Sequence, residues 1–390
     1  MADLKKALAE EKEYLVSIRR EFHRHPEVSL KEFRTAKRIE EELEQFGIPH
    51  TRVGETGVLG TLYGTGAGDG VVVLRADIDA LPIQETNGAA YCSLTPGVMH
   101  ACGHDVHTAC LLGAAKILAE HRAEFGGEVR LIFQPAEEIG QGAKPFVAAG
   151  VLNGAGRVFG LHTAPDLNIG TVGLKPGLNN AAVDHFSILI HGESAHVSTP
   201  QLGVDALYIA SQIVVALQAL VTRLTSPVEP VIISVGKLNA GTTYNALAAS
   251  AVLEGTTRTI SQESRERVRA QIQKTAQNIA EIYGGTAELQ WEDFASPLIN
   301  DQQVCLEAAG TVEELWGDGN VITDRKLSLG GDDFAEYLLH IPSAYAYLGT
   351  GNPALPNTVI SNHNGNFDVD EDALVIGAGL YAGYALAKLA

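Results

Sequence analysis

The sequence predicts an α/β protein whose main domain contains a mixed, largely parallel sheet and is interrupted by a smaller, ferredoxin-like α+β domain. First, near-continuous apolar runs alternate with helical patterns over residues 1–181, as expected of strands buried on both faces of a parallel sheet. Second, the pattern changes over 182–294, where polar and apolar residues alternate along the first strand. Third, the first pattern returns over 295–390, so we expect a discontinuous main domain with one insertion.

The elements of the main domain follow from the period of their apolar residues. Helices are predicted over 4–24, 30–46, from about Asp105 to Glu120, over 301–315 and from Asp370 onward. Strands are predicted over 71–77, 128–134, 157–163 and 343–350. The glycine-rich segment 64–70 precedes a strand, whereas a dinucleotide-binding loop follows a strand and opens a helix. We therefore predict a hairpin turn at this segment.

The inserted domain is predicted to follow the order strand, helix, strand, strand, helix, strand, which is the ferredoxin-like split unit. Its predicted strands cover 183–191, 230–237, 246–255 and 287–293, and its predicted helices cover 203–223 and 261–283. The first helix contains the most apolar stretch of the chain, but polar residues such as Asp205 and Gln218 interrupt it. We therefore expect a buried helix and no membrane association.

The composition of the chain indicates which classes of partner it can bind and in which cellular compartment we expect it. The chain has 390 residues and a formal net charge of −19, and it lacks the basic stripe with which a protein neutralises nucleic-acid phosphates. Its first 22 residues show a charged amphipathic helix pattern, not the apolar centre of a secretory signal. The cysteines show no paired spacing and are Cys92, Cys102, Cys110 and Cys305. We therefore expect reduced cysteines, a cytoplasmic location and no nucleic-acid partner.

Metal-ligating side chains occur in short polar segments after the apolar, strand-like runs. They are Cys102, His104, the pair Glu137-Glu138, His162 and, near the end of the chain, His363. A soft thiolate, imidazoles and adjacent carboxylates form the ligand set of one or two Zn²⁺-like ions with an acid or base beside them. Ligands gather at the carboxyl ends of parallel strands, so we expect these side chains and Asp77 to share one cleft. Two adjacent carboxylates at a strand end are costly without a cation.

Each of these residue types also has an ordinary structural interpretation. Cys110 and Cys305 are expected to be small core residues. Ordinary hydrogen-bonded or surface roles are expected for His50, His121, His191 and His340. His100 and His107 flank the cysteine motif and are either such residues or partners that orient a ligand.

Taken together, the motifs resemble the aminoacylase/carboxypeptidase-type dinuclear metallohydrolases over essentially the whole chain. The chain is most similar to the branch of hippurate hydrolases, N-acyl-L-amino acid amidohydrolases and auxin-conjugate hydrolases. The matching segments are His23-x-x-Pro26-Glu27, Arg75-Ala-Asp77-Ile-Asp79-Ala-Leu-Pro82, Met99-His-Ala-Cys102-Gly-His104-Asp105-x-His107-Thr-Ala, Gln134-Pro-Ala-Glu137-Glu138, Gly160-Leu-His162, Gly330-Gly-Asp-Asp333-Phe and His363-x3-Phe367.

The resemblance implies a site for two divalent ions per subunit. The implied ligands are Cys102, His104, Glu138, His162 and His363, with Cys102 bridging the two ions. Glu137 would be the general base, and Asp77 would orient a ligand imidazole. Zinc is the expected metal, and manganese and cobalt also suit a thiolate, imidazole and carboxylate set.

The resemblance further implies that the inserted domain is a lid that also forms a homodimer or a higher oligomer. His196 would stabilise the developing oxyanion, and Asn245 and Arg258 would bind the substrate, often that of the neighbouring subunit. In the segment Glu193–Gln201 the usual alanine position is altered, and two further positions depart from the family pattern. The last histidine of the usual segment is Gln201, and an expected glutamate is Asp332. These departures concern substrate preference rather than the metal ligands.

The predicted function is metal-dependent hydrolysis of the amide bond of an N-acyl amino acid, giving a carboxylic acid and a free amino acid. In this prediction the ions acidify a water molecule, and Glu137 transfers its proton to the leaving amine. Other chemistries suit the same site. The chain could be a dipeptidase or aminopeptidase, or a deacetylase of a biosynthetic intermediate. A non-catalytic protein that kept the fold would be expected to lose Glu137 or several ligands, and all of them are present.

Overall fold

The computed structural model describes residues 2–390, which divide into two compact units. The first unit comprises the chain up to Asn179, Ile299–Lys326 and Asp333–Ala390. The second comprises Asn180–Leu298 and Leu327–Asp332. The second unit is therefore nearly continuous in sequence, whereas the first is assembled from three segments.

An eight-stranded mixed sheet forms the centre of the first unit. Its strands, in spatial order, are β1 (His50–Val53), β2 (Gly57–Tyr63), β4 (Glu128–Gln134), β3 (Val71–Asp77), β5 (Arg157–Asn168), β14 (Ser343–Gly351), β6 (Val172–Gly173) and β13 (Val321–Ile322). The four central strands β4, β3, β5 and β14 are mutually parallel, and every residue of β14 is buried. The prediction of a mixed, largely parallel sheet is confirmed.

Helices cover this sheet. They are α1 (Ala2–Glu10), α2 (Lys12–Arg24), α3 (Phe33–Gln45), α4 (His104–Glu120), α5 (Ala143–Ala148), α8 (Gln302–Trp316), α9 (Ala335–Leu338) and α10 (Ala373–Leu389). Helix α4 packs against α2 and α10, and its first twelve residues are all buried. A helix that is buried on every face belongs to the core, so the packing of α4 fixes the position of its first residues.

The second unit is an antiparallel sheet with two helices. Its elements, in chain order, are β8 (Ala182–His191), α6 (Ala206–Arg223), β9 (Ile232–Ala240), β10 (Ser250–Thr259), α7 (Gln262–Ile282) and β11 (Thr286–Ala295), and the strands lie in the order β11-β8-β10-β9. Alternate residues of β8 are buried and pack with apolar residues of α6 and α7 in one core. Asp205 and Ser261 cap the two helices by accepting hydrogen bonds from backbone N–H groups.

A two-stranded sheet pairs β7 (Gly177–Asn180) with β12 (Leu298–Asn300).

Several elements differ from the sequence-based predictions. The predicted helix 4–24 divides at Glu11 into α1 and α2, although the backbone there stays near the helical region. Strands β1 and β2 were not predicted. Strand β1 has four residues at the sheet edge, too few to show an apolar period, and Gly60 and Thr61 interrupt the apolar run of β2. The hairpin turn predicted at 64–70 is wrong. The segment joins β2 to β3, and these strands lie on opposite sides of β4 instead of pairing with each other.

One described helix, Ala206–Arg223, is long and apolar enough to cross a membrane by length and composition alone. Core helices of soluble proteins pass the same test, so this is weak evidence for a span. Ile209, Ile213 and Leu217 of this helix are buried in the core of the second unit.

Candidate metal centre

Three parallel strands and one helix bring the site together in the first unit. Asp77 is the last residue of β3, and a loop carrying Glu137 and Glu138 follows β4. His104 is the first residue of α4. His162 lies within β5 and not beyond its end as predicted, because that strand continues to Asn168. The carboxyl ends of neighbouring parallel strands meet at one edge, which explains why residues distant in sequence converge.

Cys102 lies at the centre of two ligand sets. In one set it meets His104 and His162, and in the other it meets Glu138 and His363, and within each set the candidate ligand atoms lie within 4.8 Å of one another. The Cys102 Sγ atom is 3.4 Å from His162 Nε2. One thiolate shared by two ligand sets is the arrangement expected of a bridging ligand.

Buried, unpartnered ligand atoms show that the residues fit divalent ions. His104 Nε2 and Glu138 Oε1 lie 3.8 Å apart, and both are buried polar atoms for which the described residues supply no hydrogen bond. A buried polar atom without a partner is costly. Divalent ions bound to these two atoms, one in each ligand set, would remove that cost.

Hydrogen bonds orient the ligand imidazoles. His162 Nδ1 donates to the carbonyl oxygen of its neighbour Thr163 at 2.8 Å, which turns the lone pair of Nε2 toward Cys102. His104 Nδ1 lies 3.3 Å from Asp79 Oδ1, which leaves Nε2 for a ligand role. Fixing the tautomer through the other ring nitrogen is the usual way in which proteins present a metal-binding histidine.

His363 reaches the site from a left-handed backbone conformation. Its φ is 62°, and its N–H donates to Ala101 O at 2.8 Å. Its Nε2 lies 3.4 Å from Glu138 Oε2, and its side chain is half exposed. The site is therefore open to solvent on the side of His363, which is where a substrate can enter.

Asp77 forms its short hydrogen bond with His107, which is not one of the predicted metal ligands. Its Oδ1 atom accepts a hydrogen bond of 2.5 Å from His107 Nδ1, and His107 Nε2 accepts the N–H of Thr163 at 2.8 Å. Both nitrogens of His107 are thus engaged, and this histidine orients its neighbours instead of binding an ion. Asp77 Oδ2 lies 3.8 Å from His104 Nε2, so its role toward that ligand stays a prediction.

The electrostatics of the centre favour bound cations. Burial raises the pKa of the Cys102 thiol, and the negative charge of Glu138 raises it further. Burial lowers the pKa of His104, but the charges of Asp77 and Cys102 outweigh this effect and raise it above the usual range. Hydrogen bonds to Cys102 and Glu138 raise the pKa of His363 to about 10. In the metal-free protein, protons bound to these side chains thus supply the positive charge that metal ions would otherwise supply.

Glu137 lies beside the ligands in a short 3₁₀ turn, Glu137–Ile139. It is buried, and its Oε2 atom is 4.0 Å from His104 Nε2. The preceding Ala136 has a left-handed backbone with φ 56°, which bends the chain sharply between β4 and the turn. This bend separates the directions of Glu137 and of the neighbouring ligand Glu138.

The predicted substrate-binding residues lie in the second unit. His196 is exposed, and its Nδ1 accepts the N–H of Ser198 at 3.1 Å, so a neutral ring carries its proton on Nε2. Asn245 is exposed on the neighbouring segment, where His196 and Ala246 form an isolated β-bridge. Arg258 donates from Nε to Leu329 O and from Nη1 to Thr256 and Thr257. Their roles stay predictions.

The two departures from the family pattern also lie in the second unit. Gln201 is an exposed residue of the 3₁₀ turn Pro200–Leu202. Asp332 is buried.

Two residues of the centre were not assigned a role from the sequence. Asp79 accepts a hydrogen bond from the backbone N–H of Glu138 at 3.0 Å and also faces His104. The feature of the sequence that could have indicated its role is the spacing Asp77-x-Asp79. Asn362 donates to Cys102 O at 3.0 Å and lies 3.6 Å from Cys102 Sγ. Its only signal was its place next to His363.

Comparison with known proteins agrees with this geometry. The sequence profile of Peptidase family M20/M25/M40 matches residues 73–387, which is most of the chain. The chain belongs to this family. The resemblance drawn from the motifs is confirmed, and so is the prediction of a metal-dependent amidohydrolase.

Individual relatives cover nearly the whole chain. N-acetylcysteine deacetylase from Bacillus subtilis is 39% identical over 380 residues, covering 96% of this chain and 97% of the relative. IAA-amino acid hydrolase ILR1-like 4 from Arabidopsis thaliana is 37% identical, covering 96% and 85%. The crystal structure of the Bacillus subtilis YXEP protein, described as a dinuclear metal binding peptidase, is similar with a TM-score of 0.82 and 37% identity, covering 97% of this chain and 98% of that one.

Proposed function

We propose that this protein hydrolyses the amide bond of N-acyl amino acids with two divalent ions, releasing a carboxylic acid and a free amino acid. The observation that carries the proposal is the pair of ligand sets that share Cys102, with the buried Glu137 next to them. The names of the relatives support the substrate class, because an N-acetylcysteine and an indole-acetyl amino acid are both N-acyl amino acids.

The two ions would be held by Cys102, His104 and His162 on one side and by Cys102, Glu138 and His363 on the other. Zinc suits a thiolate with imidazoles best, and manganese or cobalt would also be accepted. When bound, divalent ions in such a site supply Lewis acidity, which polarises a carbonyl group and acidifies water.

Glu137 carries out the proton transfer in this proposal. Its carboxylate takes a proton from the attacking water molecule and delivers it to the nitrogen of the leaving amine, so it ends the cycle ionised again. Its burial and its place 4.0 Å from His104 Nε2 put it within reach of a molecule held between the ligands. Asp77 and Asp79 hold the imidazoles around it and take no part in the proton transfer.

The second unit would supply substrate recognition. His196 would donate from Nε2 to the oxygen that gains negative charge in the transition state, and Asn245 would bind the substrate next to it. Arg258 would meet the free carboxylate of the amino acid with Nη2, because the recorded hydrogen bonds of its guanidinium leave from Nε and Nη1. We propose that this unit is the lid and also the dimerisation domain.

Replacing Glu137 by Gln tests the proposed base. Turnover of N-acyl amino acids should fall about a hundred- to ten-thousandfold, because general acid–base catalysis contributes about 10²–10⁴-fold and the amide cannot accept the proton. Metal content should stay near that of the wild type. Glu138→Gln is the matched control, since losing a ligand should reduce metal content and activity together. Wild-type-like activity in Glu137→Gln would overturn the proposal.

A substrate panel tests the proposed substrate class. N-acetyl and N-benzoyl amino acids, their amides and simple dipeptides should be assayed with protein of known metal content. The N-acyl amino acids should give the highest kcat/KM. A clear preference for dipeptides with a free α-amine would instead assign a dipeptidase.

A further inference from the structure

The loop that carries Glu137 and Glu138 is held by three buried carboxylates from outside the loop. They are Glu32, Asp79 and Asp333, and they accept the backbone N–H groups of Ala136, Glu138 and the pair Gly142 and Ala143 at 2.9 to 3.0 Å. Backbone N–H groups fixed at three points along one loop leave it little freedom. Asp79 and Asp333 also contact His104 and Arg75, whereas the hydrogen bonds described for Glu32 join it to Leu30 and Ala136 and not to a proposed ligand or substrate group.

Ala136 is the residue of this loop whose backbone conformation most needs stabilising contacts from outside the loop. Its φ of 56° and ψ of 34° are left-handed, a region that an L-residue with a Cβ adopts at a cost. Three described residues other than glycine have a positive φ, namely Leu30, Ala136 and His363. The peptide of Ala136 leads directly into Glu137, so the conformation of Ala136 sets the direction of the Glu137 side chain.

Glu32 binds two of these three residues with a single oxygen. Its Oε1 atom accepts the N–H of Leu30 and the N–H of Ala136, each at 2.9 Å. The side chain is fully buried, and the burial of a carboxyl group is unfavourable unless its bonds compensate. Burial also raises the pKa of Glu32, and its hydrogen bond with the backbone of Ala136 opposes this rise.

We propose that Glu32 is a positioning residue for the reaction, which holds Ala136 in the left-handed conformation and thereby directs Glu137 toward the metal centre. This inference rests on the proposed role of Glu137 as the base. Glu32 lies 104 residues before Ala136 and would itself never touch the substrate. A displacement of the base of about 1 Å is enough to lower a rate by about a hundredfold.

A purely structural role would give different kinetics from a positioning role. Glu32 also precedes α3, so its loss could simply weaken the packing of that helix. Glu42 provides the matched control, because it is a buried glutamate within α3 that accepts from Tyr14 and pairs with Arg38. Removing Glu42 should lower the melting temperature and leave the kinetics of the folded enzyme unchanged.

The first experiment compares Glu32→Ala, Glu32→Asp and Glu32→Gln with Glu42→Ala, all loaded with metal. Glu32→Ala should lower kcat about ten- to a hundredfold with KM and metal content near wild type. Glu32→Asp keeps the acid but withdraws it by one methylene group, so it should fold and still lose kcat. Glu32→Gln retains Oε1 and should stay within about threefold of wild type. Normal kcat in both Glu32→Asp and Glu32→Ala would overturn the inference.

The second experiment asks whether the conformation of Ala136 is what Glu32 controls. Glycine adopts the left-handed region at little cost, so Ala136→Gly should restore part of the lost kcat when added to Glu32→Ala, by about three- to tenfold. The same change alone should bring no gain. If the double variant is no faster than Glu32→Ala, the proposed link through Ala136 is wrong.

The outcome separates the inference from the proposed function. An active Glu137→Gln would refute the base, whatever happens at Glu32. An inactive Glu137→Gln with a fully active Glu32→Ala would leave the proposed function intact and refute only the positioning role.

Discussion

At the scale of single residues, the centre depends on which atom of each side chain faces which neighbour. His104 and His107 have the same side chain and lie one turn apart on α4. His107 has both nitrogens engaged by Asp77 and Thr163, whereas the buried Nε2 atom of His104 has no hydrogen-bond partner among the described residues. One histidine is therefore a support and the other a candidate ligand, although the motif alone left the role of His107 open.

Cys102→Ala is expected to lose both ions and all measurable turnover, because a ligand shared by two sets is removed. Metal content measured by atomic emission after gel filtration, together with activity, checks this expectation. Cys305→Ala is the control, since Cys305 is a buried cysteine of α8 away from both ligand sets. Retention of two ions by Cys102→Ala would contradict the bridging arrangement.

Arg258→Ala should raise KM for N-acyl amino acids at least about tenfold, because a hydrogen bond to a charged group contributes roughly 1.5–3 kcal/mol. The corresponding amides, which lack the carboxylate, should change much less. Steady-state kinetics on both substrate series give the answer. An equal loss on both would mean that Arg258 serves only its recorded bonds to Leu329, Thr256 and Thr257.

At the scale of elements, ion pairs join the helices α8 and α10 to the first residue of the central strand β5, at the end of the strand away from the metal centre. Glu307 on α8 pairs with Arg157 at the start of β5 at 3.2 Å and with Lys388 near the end of α10 at 3.0 Å. Burial raises the pKa of Glu307, but its bonds to Arg157 and Lys388 outweigh this and lower it overall. One carboxylate thus joins three elements of the first unit.

Glu307→Gln should lower the free energy of unfolding by about 1 kcal/mol at pH 7, in the range of well-placed partly exposed ion pairs. A lowered folded-state pKa means that this contribution is complete above the unfolded pKa of about 4.3 and is lost as the pH falls through the folded value. The difference between wild type and variant should therefore be constant from pH 6 to 8 and shrink below about pH 4. Urea titrations across this range measure it, and a difference that grows on acidification would contradict the assignment.

At the scale of the whole molecule, the proposed chemistry is divided between two compact units. The candidate ligands and Glu137 belong to the first unit, and His196, Asn245 and Arg258 belong to the second. The second unit also presents apolar side chains to solvent, among them Val215 and Tyr244, and its strand β9 pairs on one side only. An unpaired strand edge and exposed apolar side chains are features that the proposed two-fold contact between copies would bury.

Mixing two inactive variants tests whether His196 acts on the site of a partner subunit. His196→Ala and Glu137→Ala should each be inactive alone. After subunit exchange, a mixed dimer carries both defects in one site and neither in the other, so it should have about half of the wild-type activity. Random pairing makes about half of the dimers mixed, so an equal mixture should regain about a quarter of the wild-type activity. Exchange is verified independently by mass spectrometry of tagged subunits. A mixture that exchanges and stays inactive would place His196 in its own chain's site or outside catalysis.

Much of this protein could be predicted from the sequence because the signals were local. The buried run of β4 was predicted with its observed bounds, and α4 was predicted to within one residue. The candidate ligands could be listed because Cys102 and His104 lie within one motif and Glu137 and Glu138 within another. Strand β1 was missed because it has four residues at the sheet edge, and β2 was missed because Gly60 and Thr61 interrupt its apolar run.

The sequence by itself determined the inventory of the site and the type of most elements, since residue chemistry and apolar period are properties of short segments. Only the tertiary structure decided which strands pair. The glycine-rich segment connects β2 to β3, which lie on opposite sides of β4, and does not form a hairpin. It also decided that Asp79 supports His104 and that Glu32 supports the left-handed Ala136. Such hydrogen bonds join residues up to about a hundred positions apart. They form only when the chain folds and brings these residues together, so no short segment of the sequence indicates them.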